Sequence, residues 1–478
     1  MNPKFGRDLT TGSIPRHILT FSAPMLVGSF LQTAYSFINA IWVGQFLGTR
    51  ALAAVTVSFP VIFVLFGVGM GMTLGTNILV SQNFGAKRFE ELRRVVDSST
   101  LLTYALGIAF AILGELFAPQ ILRAMDTPAD VLPEAVSYLR VFMLSMPFAF
   151  GLFLIRSLLQ GVGDSKTPLY FQLGSVILTT ILDPVLIFGL GGFPKLGLDG
   201  TAWATLFSQI LVLVALIAYL RYHKAPVAPA WPRLNHLGPT TGQLIRIGLP
   251  SAIQQSLVSI GMVMVTGIVN GFGEAVTAAF GAASRIDQIA FMPAVTFGMA
   301  ISTLAGQNLG ARKDERVRDI FKWGCLFSGA ITGVISLAAV VFPAALLRIF
   351  VKDEAVIALG VPYLRIVGSC YMFFGLIFVS NGIINGAGAT IVTTAFSLIS
   401  LWIVRVPLAL YLSRHLKSEV GIWYAISASF VLSFVISMAY YASGRWKRSL
   451  AKSRAGAKVE TAPPVDAGVA IAHDVGEA

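Results

Sequence analysis

The sequence predicts an all-α integral membrane protein with twelve transmembrane helices, arranged as two homologous six-helix lobes related by a pseudo-two-fold axis along the membrane normal. Three observations predict it: a composition poor in charge, long stretches with no charge at all, and an internal repeat held in one register. Charged residues make up 12% of the 478 and hydrophobic ones 55%, with a mean hydropathy of +0.76. A soluble chain of this length carries about a quarter of its residues as Asp, Glu, Lys or Arg.

The charge-free stretches supply the first two spans. No Asp, Glu, Lys or Arg occurs between His17 and Thr49 or between Ala51 and Ala86, and each stretch exceeds the roughly 20 residues that cross the hydrocarbon. The first run is too long, and too interrupted by Pro24 and Gly28, to read as a removable signal. Further spans fall at about 95–115, 135–160, 167–190, 199–221, 243–270, 276–306, 320–345, 361–385, 391–413 and 419–443. Within them Pro24, Pro60, Pro147, Pro250 and Pro293 each free a backbone carbonyl and permit a bend.

An even number of spans puts both termini on one side. The loops and tails of that side hold 23 Lys and Arg, against seven on the other: Arg50, Arg123, Lys195, Arg348, Lys352, Arg414 and Lys417. The basic side is therefore expected in the cytoplasm of a bacterial-type inner membrane. On this reading the formal charge of +12 is a topology signal and implies no nucleic-acid partner.

The repeat can be followed residue by residue. Gln82, Asn83, Gly85 and Ala86 recur as Gln307, Asn308, Gly310 and Ala311; Tyr138-Leu139-Arg140 as Tyr363-Leu364-Arg365; Gly161 and Gly163 as Gly386 and Gly388. The offset is the same in all three. Each lobe has an even number of spans, so both copies point the same way through the membrane and a substrate path runs between them. The division is an N-lobe over 1–221, a Pro-rich cytoplasmic linker over 222–242 expected to be flexible or extended, a C-lobe over 243–444 and a disordered tail over 445–478.

Several function classes are disfavoured. Cys325 and Cys370 stand alone on different spans, and the five histidines lie in loops, the tail or span ends, so no metal centre and no cofactor is expected. Neither HExxH nor GxSxG occurs, so a membrane-embedded enzyme lacks its nucleophile or metal set.

The residues themselves resemble the multidrug and toxin extrusion (MATE) transporters, over nearly all of Ile14 to Gly444. The likeness is carried by Phe21 to Pro24 with Gly44 and Leu52 to Ala54, by the paired Gln-Asn-x-Gly-Ala loops, by Leu159 to Gly163 with Asp164, by Leu182 to Pro184 and by Arg405 to Pro407. The resemblance implies a monomeric efflux antiporter working by alternating access. It would exchange amphipathic, often cationic small molecules for inward-moving H+ or Na+, with membrane lipids as its other partners. A lipid or polyprenyl-linked flippase of the same superfamily would share the architecture, but such relatives carry extra helices and a more cationic central cavity.

Asp183 and Asp287 are the acidic residues that fall well inside the spans, where a carboxylate needs a partner, water or a proton. Asp183 lies roughly 18 Å of helix before Lys195 and Asn39 roughly 16 Å before Arg50, so the two reach similar depth. The resemblance puts a cation site at Asn39, Thr179 and Asp183, yet relatives carry a carboxylate at the first position and an Asn at the second. Neither Asn39 nor Thr179 titrates. Coupling is then expected to rest on Asp183, with Gln32 as a further oxygen and Na+ as a candidate ion; the alternative is that Asp183 only hydrogen-bonds one helix to another.

In the C-lobe Asp287, Arg405 and Arg285 form a second polar set. Depth allows an ion pair of Asp287 with Arg405, while Arg285 is two residues from Asp287 and shares no face with it. A substrate cavity is expected to be lined by Tyr35, Gln255, Met262, Met292, Met299, Phe374 and Asn381, adaptable apolar groups with a few polar ones.

Overall fold

A computed structural model describes residues 6–42, 46–229 and 238–447. The first lobe comprises α1 (Ile14–Trp42), α2 (Gly48–Gly85), α3 (Phe89–Ala124), α4 (Leu132–Leu144), α5 (Met146–Gly161), α6 (Lys166–Phe188) and α7 (Leu198–Tyr222). The second comprises α8 (Pro239–Asn270), α9 (Glu274–Gly310), α10 (Asp314–Val341), the short α11 (Pro343–Arg348), α12 (Glu354–Ile366), α13 (Tyr371–Gly386), α14 (Thr390–Leu398), α15 (Val406–Leu416) and α16 (Val420–Ala442). Ten helical stretches are long and apolar enough to cross a membrane, and α4 with α5, bent by 43°, makes an eleventh. The 29-residue α1 is long enough to form a further span.

The bend between α4 and α5 has a visible cause. Pro147 opens α5 without an amide hydrogen to donate, and the Ser145 hydroxyl takes up the Phe142 carbonyl at 2.6 Å. The second lobe breaks at the equivalent place, where a 3-10 turn over Gly368–Cys370 separates α12 from α13. Pro24, Pro60, Pro250 and Pro293, expected to bend their spans, lie inside α1, α2, α8 and α9, each a single helix. One departure from symmetry matters for the C-lobe: a π-helical turn, Ile399–Arg405, joins α14 to α15.

The lobes meet mainly where α2 packs on α8 and α9. Gly85 and Gly310 let the backbones touch, since a Cβ at Gly85 would stand 2.0 Å from the Gln307 carbonyl oxygen and one at Gly310 2.0 Å from that of Gln82. Across this contact Gln82 Nε2 donates to the Gly386 carbonyl at 2.7 Å and Gln307 Nε2 to the Gly161 carbonyl at 3.0 Å. The two bonds are mates under the repeat. The residues after these helices, Lys87 and Arg312, both turn left-handed (φ 56° and 59°).

A strap of chain before α1 crosses the same seam. The Arg7 amide donates to the Val162 carbonyl at 2.8 Å, and the Leu9 amide to Gln307 Oε1 at 3.0 Å. Asn308 donates to the Leu9 carbonyl, Lys313 to that of Thr10 and Arg316 to that of Gly12. Leu9 is buried with Ile14, Ile18, Phe21 and Met25 of α1 in a core otherwise built by α9, α10, α13, α14 and Trp446. The inner half of α1 thus belongs by packing to the second lobe.

The start of the linker is docked on the first lobe. Ala225, Val227 and Ala228 are buried, and Arg93 and Arg221 donate to the carbonyls of Ala228 and Pro229. Residues 230–237 and the tail from 448, including the stretch expected to be disordered, lie outside the described residues.

Candidate functional site

In the first lobe the deep carboxylate comes from the Leu-Asp-Pro turn of α6. Asp183 is fully buried, and among the described residues neither of its oxygens has a hydrogen-bond partner. Tyr35 and Asn39, one turn apart, share a face of α1, the helix that packs along α6. The Tyr35 hydroxyl and Asn39 Oδ1 are likewise buried without a partner. Tyr35 and Tyr138 both lie within electrostatic reach of the Asp183 carboxyl. So much unmet hydrogen-bonding capacity in one place is costly in a protein interior, and such groups can take up a proton or a small cation.

Two further residues expected at this site sit differently. Thr179 is buried on α6, but its hydroxyl donates back to the Ser175 carbonyl at 2.8 Å. Gln32 is exposed, and its Oε1 accepts from Gln172 at 3.4 Å; Gln172 also donates to the Gly28 carbonyl. Gln32 therefore faces the inner part of α6, two turns from Asn39 along α1, rather than Asp183.

The second polar set is organised by tyrosines. Tyr363 donates to one oxygen of Asp287, and Tyr371 to the other at 2.5 Å. The expected ion pair of Asp287 with Arg405 is absent among the described residues. Both carboxylate oxygens are already met, and Arg405, at the end of the π-helical turn, is directed at α16, with Nε on the Ser429 hydroxyl at 2.8 Å and the guanidinium 4.3 Å above the Phe430 ring. Arg285 is exposed on another face of α9.

The residues expected to line a cavity divide into walls and core. Gln255 lies in the seam, its Cγ 2.9 Å from where a Cβ on Gly67 would be, and Met262 is exposed on α8. Met292 is half-buried on α9. Asn381 Oδ1 accepts from Ser437 at 3.1 Å. Phe374, by contrast, is 1% exposed and stacked among Phe291, Tyr371 and Phe430, and Met299 packs on the core that receives α1. Their bulk fills the C-lobe interior.

Sequence reasoning missed Tyr138, Tyr363 and Tyr371, although the Tyr-Leu-Arg repeat pointed to the first two: the same repeat position faces the buried Asp of each lobe. It also missed Asp97, buried at the start of α3 with Arg93 at 3.1 Å, and Arg156 on α5.

The MatE family model matches residues 24–185 and again 250–411, one copy per lobe. The chain is 34% identical over 433 residues to the probable multidrug resistance protein YoeA of Bacillus subtilis (strain 168), covering 90% of this chain and 94% of that one. It is 24% identical over 403 residues to the FAD transporter of Shewanella oneidensis, covering 84% and 88%. A solved outward-facing structure of a multidrug resistance MATE family transporter superposes with a TM-score of 0.83 at 22% identity, covering 92% and 98% of the two chains. With a family model in both lobes and a relative above 30% identity along nearly the whole length, the chain belongs to the MatE family, the multidrug and toxin extrusion transporters.

Proposed function

We propose that the protein is a secondary active multidrug efflux antiporter that exports amphipathic, often cationic compounds in exchange for H+ or Na+ by alternating access. The observation that carries this reading is the buried Asp183 carboxylate, which has no hydrogen-bond partner among the described residues and lies on a helix packed against α1, the helix of Tyr35 and of the likewise unpartnered Asn39 oxygen. A group so placed is stable only when an ion or proton shares it, which ties its loading to the state of the lobes. The relatives' names support the substrate half. YoeA is named for multidrug resistance, while the Shewanella relative is named for FAD, a large anionic molecule, so the fold is not confined to cations.

The seam supplies the moving part. With the basic loops in the cytoplasm, the paired Gln82 and Gln307 bonds and the strap close the cytoplasmic end, and the hydrogen bonds joining the lobes lie in that half. Export then requires this end to open for loading and to close again for release.

The test is transport by purified protein reconstituted in liposomes. A fluorescent amphipathic dye should accumulate against its gradient when a proton or sodium gradient is imposed, and equilibrate only slowly without one. Dye movement indifferent to every ion gradient would overturn the antiport reading.

A further inference from the structure

The charges buried in the spans are mostly accounted for within the chain. Asp287 has its two tyrosines, Arg405 has Ser429 and Phe430, Asp97 has Arg93, and Arg140 lies 3.7 Å from Glu115. Arg156 is different. It lies in the middle of α5, only partly accessible, and among the described residues it makes no ion pair, hydrogen bond or ring contact.

Its place in the lobe is defined by its neighbours on the helix. Leu154, Ile155, Leu158 and Leu159 form the core face of α5, and Arg156 projects from beside that face. One turn earlier Phe153 meets Phe66 of α2 at 5.5 Å, and Leu152 packs at the edge of the same core. Arg156 stands five residues before the end of α5 at Gly161, roughly 7.5 Å from the basic end, whereas Asp183 is seventeen residues beyond the start of α6, roughly 25 Å from it. The two lone charges of the lobe are therefore separated by roughly 18 Å along the membrane normal.

A guanidinium does not lose its proton at any physiological pH, and in a transmembrane segment it needs an anion or water. The equivalent of Arg156 under the repeat is Asn381, which is neutral and accepts a hydrogen bond from Ser437. The sister helix is thus built without a charge at this position.

We propose that Arg156 recognises a carboxylate or phosphate oxyanion on the transported compound, so that the preferred substrates are amphipathic molecules carrying an oxyanion beside their cationic part. This rests on the reading of the chain as an exporter and narrows its substrate class. The planar fork of the guanidinium takes two oxygens at once, which gives orientation as well as attraction. An oxyanion held there leaves the remainder of an elongated substrate lying toward the Asp183 end of the lobe.

The test is equilibrium binding to the full-length protein in detergent, read by fluorescence anisotropy, with rhodamine 110 and its methyl ester rhodamine 123 as probes. The pair differs in one carboxylate. Arg156→Asn, which installs the side chain the sister lobe already uses, should weaken binding of the acid at least tenfold and leave the ester within twofold. Arg156→Lys, which keeps the charge but loses the fork, should weaken the acid by a few fold and covers the case in which the Asn variant does not fold. An equal shift for both dyes would make Arg156 structural, and no shift for either would mean that a lipid phosphate or water meets the charge; either result overturns the proposal. Because no gradient is involved, a failure of ion-driven accumulation by protein that still discriminates the two dyes would sink the antiport reading and leave this one standing.

Discussion

Gln82 and Gln307 clasp the lobes reciprocally, each donating from its side-chain amide to the backbone carbonyl of a glycine in the opposite lobe, Gly386 for the first and Gly161 for the second. The symmetry ends at the other amide atom. Gln307 Oε1 also accepts the Leu9 amide of the strap, so one buried side chain ties three segments together.

Gln307→Ala should therefore cost more than Gln82→Ala. The first leaves the Gly161 carbonyl and the Leu9 amide unmet, the second only the Gly386 carbonyl, at about 1–3 kcal/mol for each buried group. Thermal unfolding in detergent measures the difference. Spin labels introduced by Glu90→Cys and Glu315→Cys, exposed positions related by the repeat, should show a longer and broader separation in the Gln307 variant. Equal melting shifts for the two alanines would sink the idea that the strap shares this lock.

Asp183→Asn should leave folding and dye binding near wild type, because the amide keeps the size and hydrogen-bonding capacity of the carboxyl, while ion-driven accumulation disappears. Binding should also lose its pH dependence. Uphill efflux at the wild-type rate by this variant would remove Asp183 from the coupling site and make Asp287 the next candidate.

The C-lobe carboxylate is expected to behave differently. Tyr363→Phe and Tyr371→Phe each leave one oxygen of Asp287 unmet in a packed interior, which should cost about 1–3 kcal/mol of stability apiece. Asp287→Asn should likewise lower protein yield more than transport per molecule. Normal yield with transport abolished in all three variants would assign this cluster to coupling instead.

The strap should be insensitive to pH over the physiological range. Partial burial pushes the Asp8 carboxyl up, but bonds from the Thr10 hydroxyl and amide, with Lys313 and Lys87 nearby, outweigh it and hold the group below its ordinary value. A carboxyl lowered in the folded state adds stability that is complete above its unfolded pKa, about 3.9, and is lost as pH falls through the lower folded value. The Glu90 to Glu315 label distance should stay constant from pH 5 to 8 and lengthen only below about 4. A change in the label distance anywhere between pH 5 and 8 would overturn the assignment of the strap's pH response to Asp8.

Much of the architecture was legible because membrane helices announce themselves locally. Charge-free runs gave the spans, and one offset linking Gln82 to Gln307 and Tyr138 to Tyr363 gave the lobes. The depth of Asp183, and its expected meeting with the first helix near Asn39, followed from counting along two helices; its closeness to Tyr35 did not. What depth could not give was rotation about the helix axis. At the end of the π-helical turn Arg405 bonds Ser429 while the tyrosines take both Asp287 oxygens, and nothing in Ile399–Arg405 marks that turn in advance. Gln32 and Phe374 were misplaced for the same reason, since a polar or aromatic residue on a span does not say which neighbour it faces. The docked start of the linker was hidden by its prolines, which read as loop although Val227 is fully buried.

The division of α1 between the lobes bears on how the chain is made. Leu9 finds Gln307, 298 positions later, and Ile14, Ile18, Phe21 and Met25 find their core on α9, α10 and α13. At about 5–20 residues per second, the first helix to leave the ribosome waits roughly 15–60 s before its own packing surface exists. During that interval the inner half of α1 faces lipid or the insertion machinery, and the first six spans stand in the bilayer as an incomplete unit. Their closure is the last event of biogenesis.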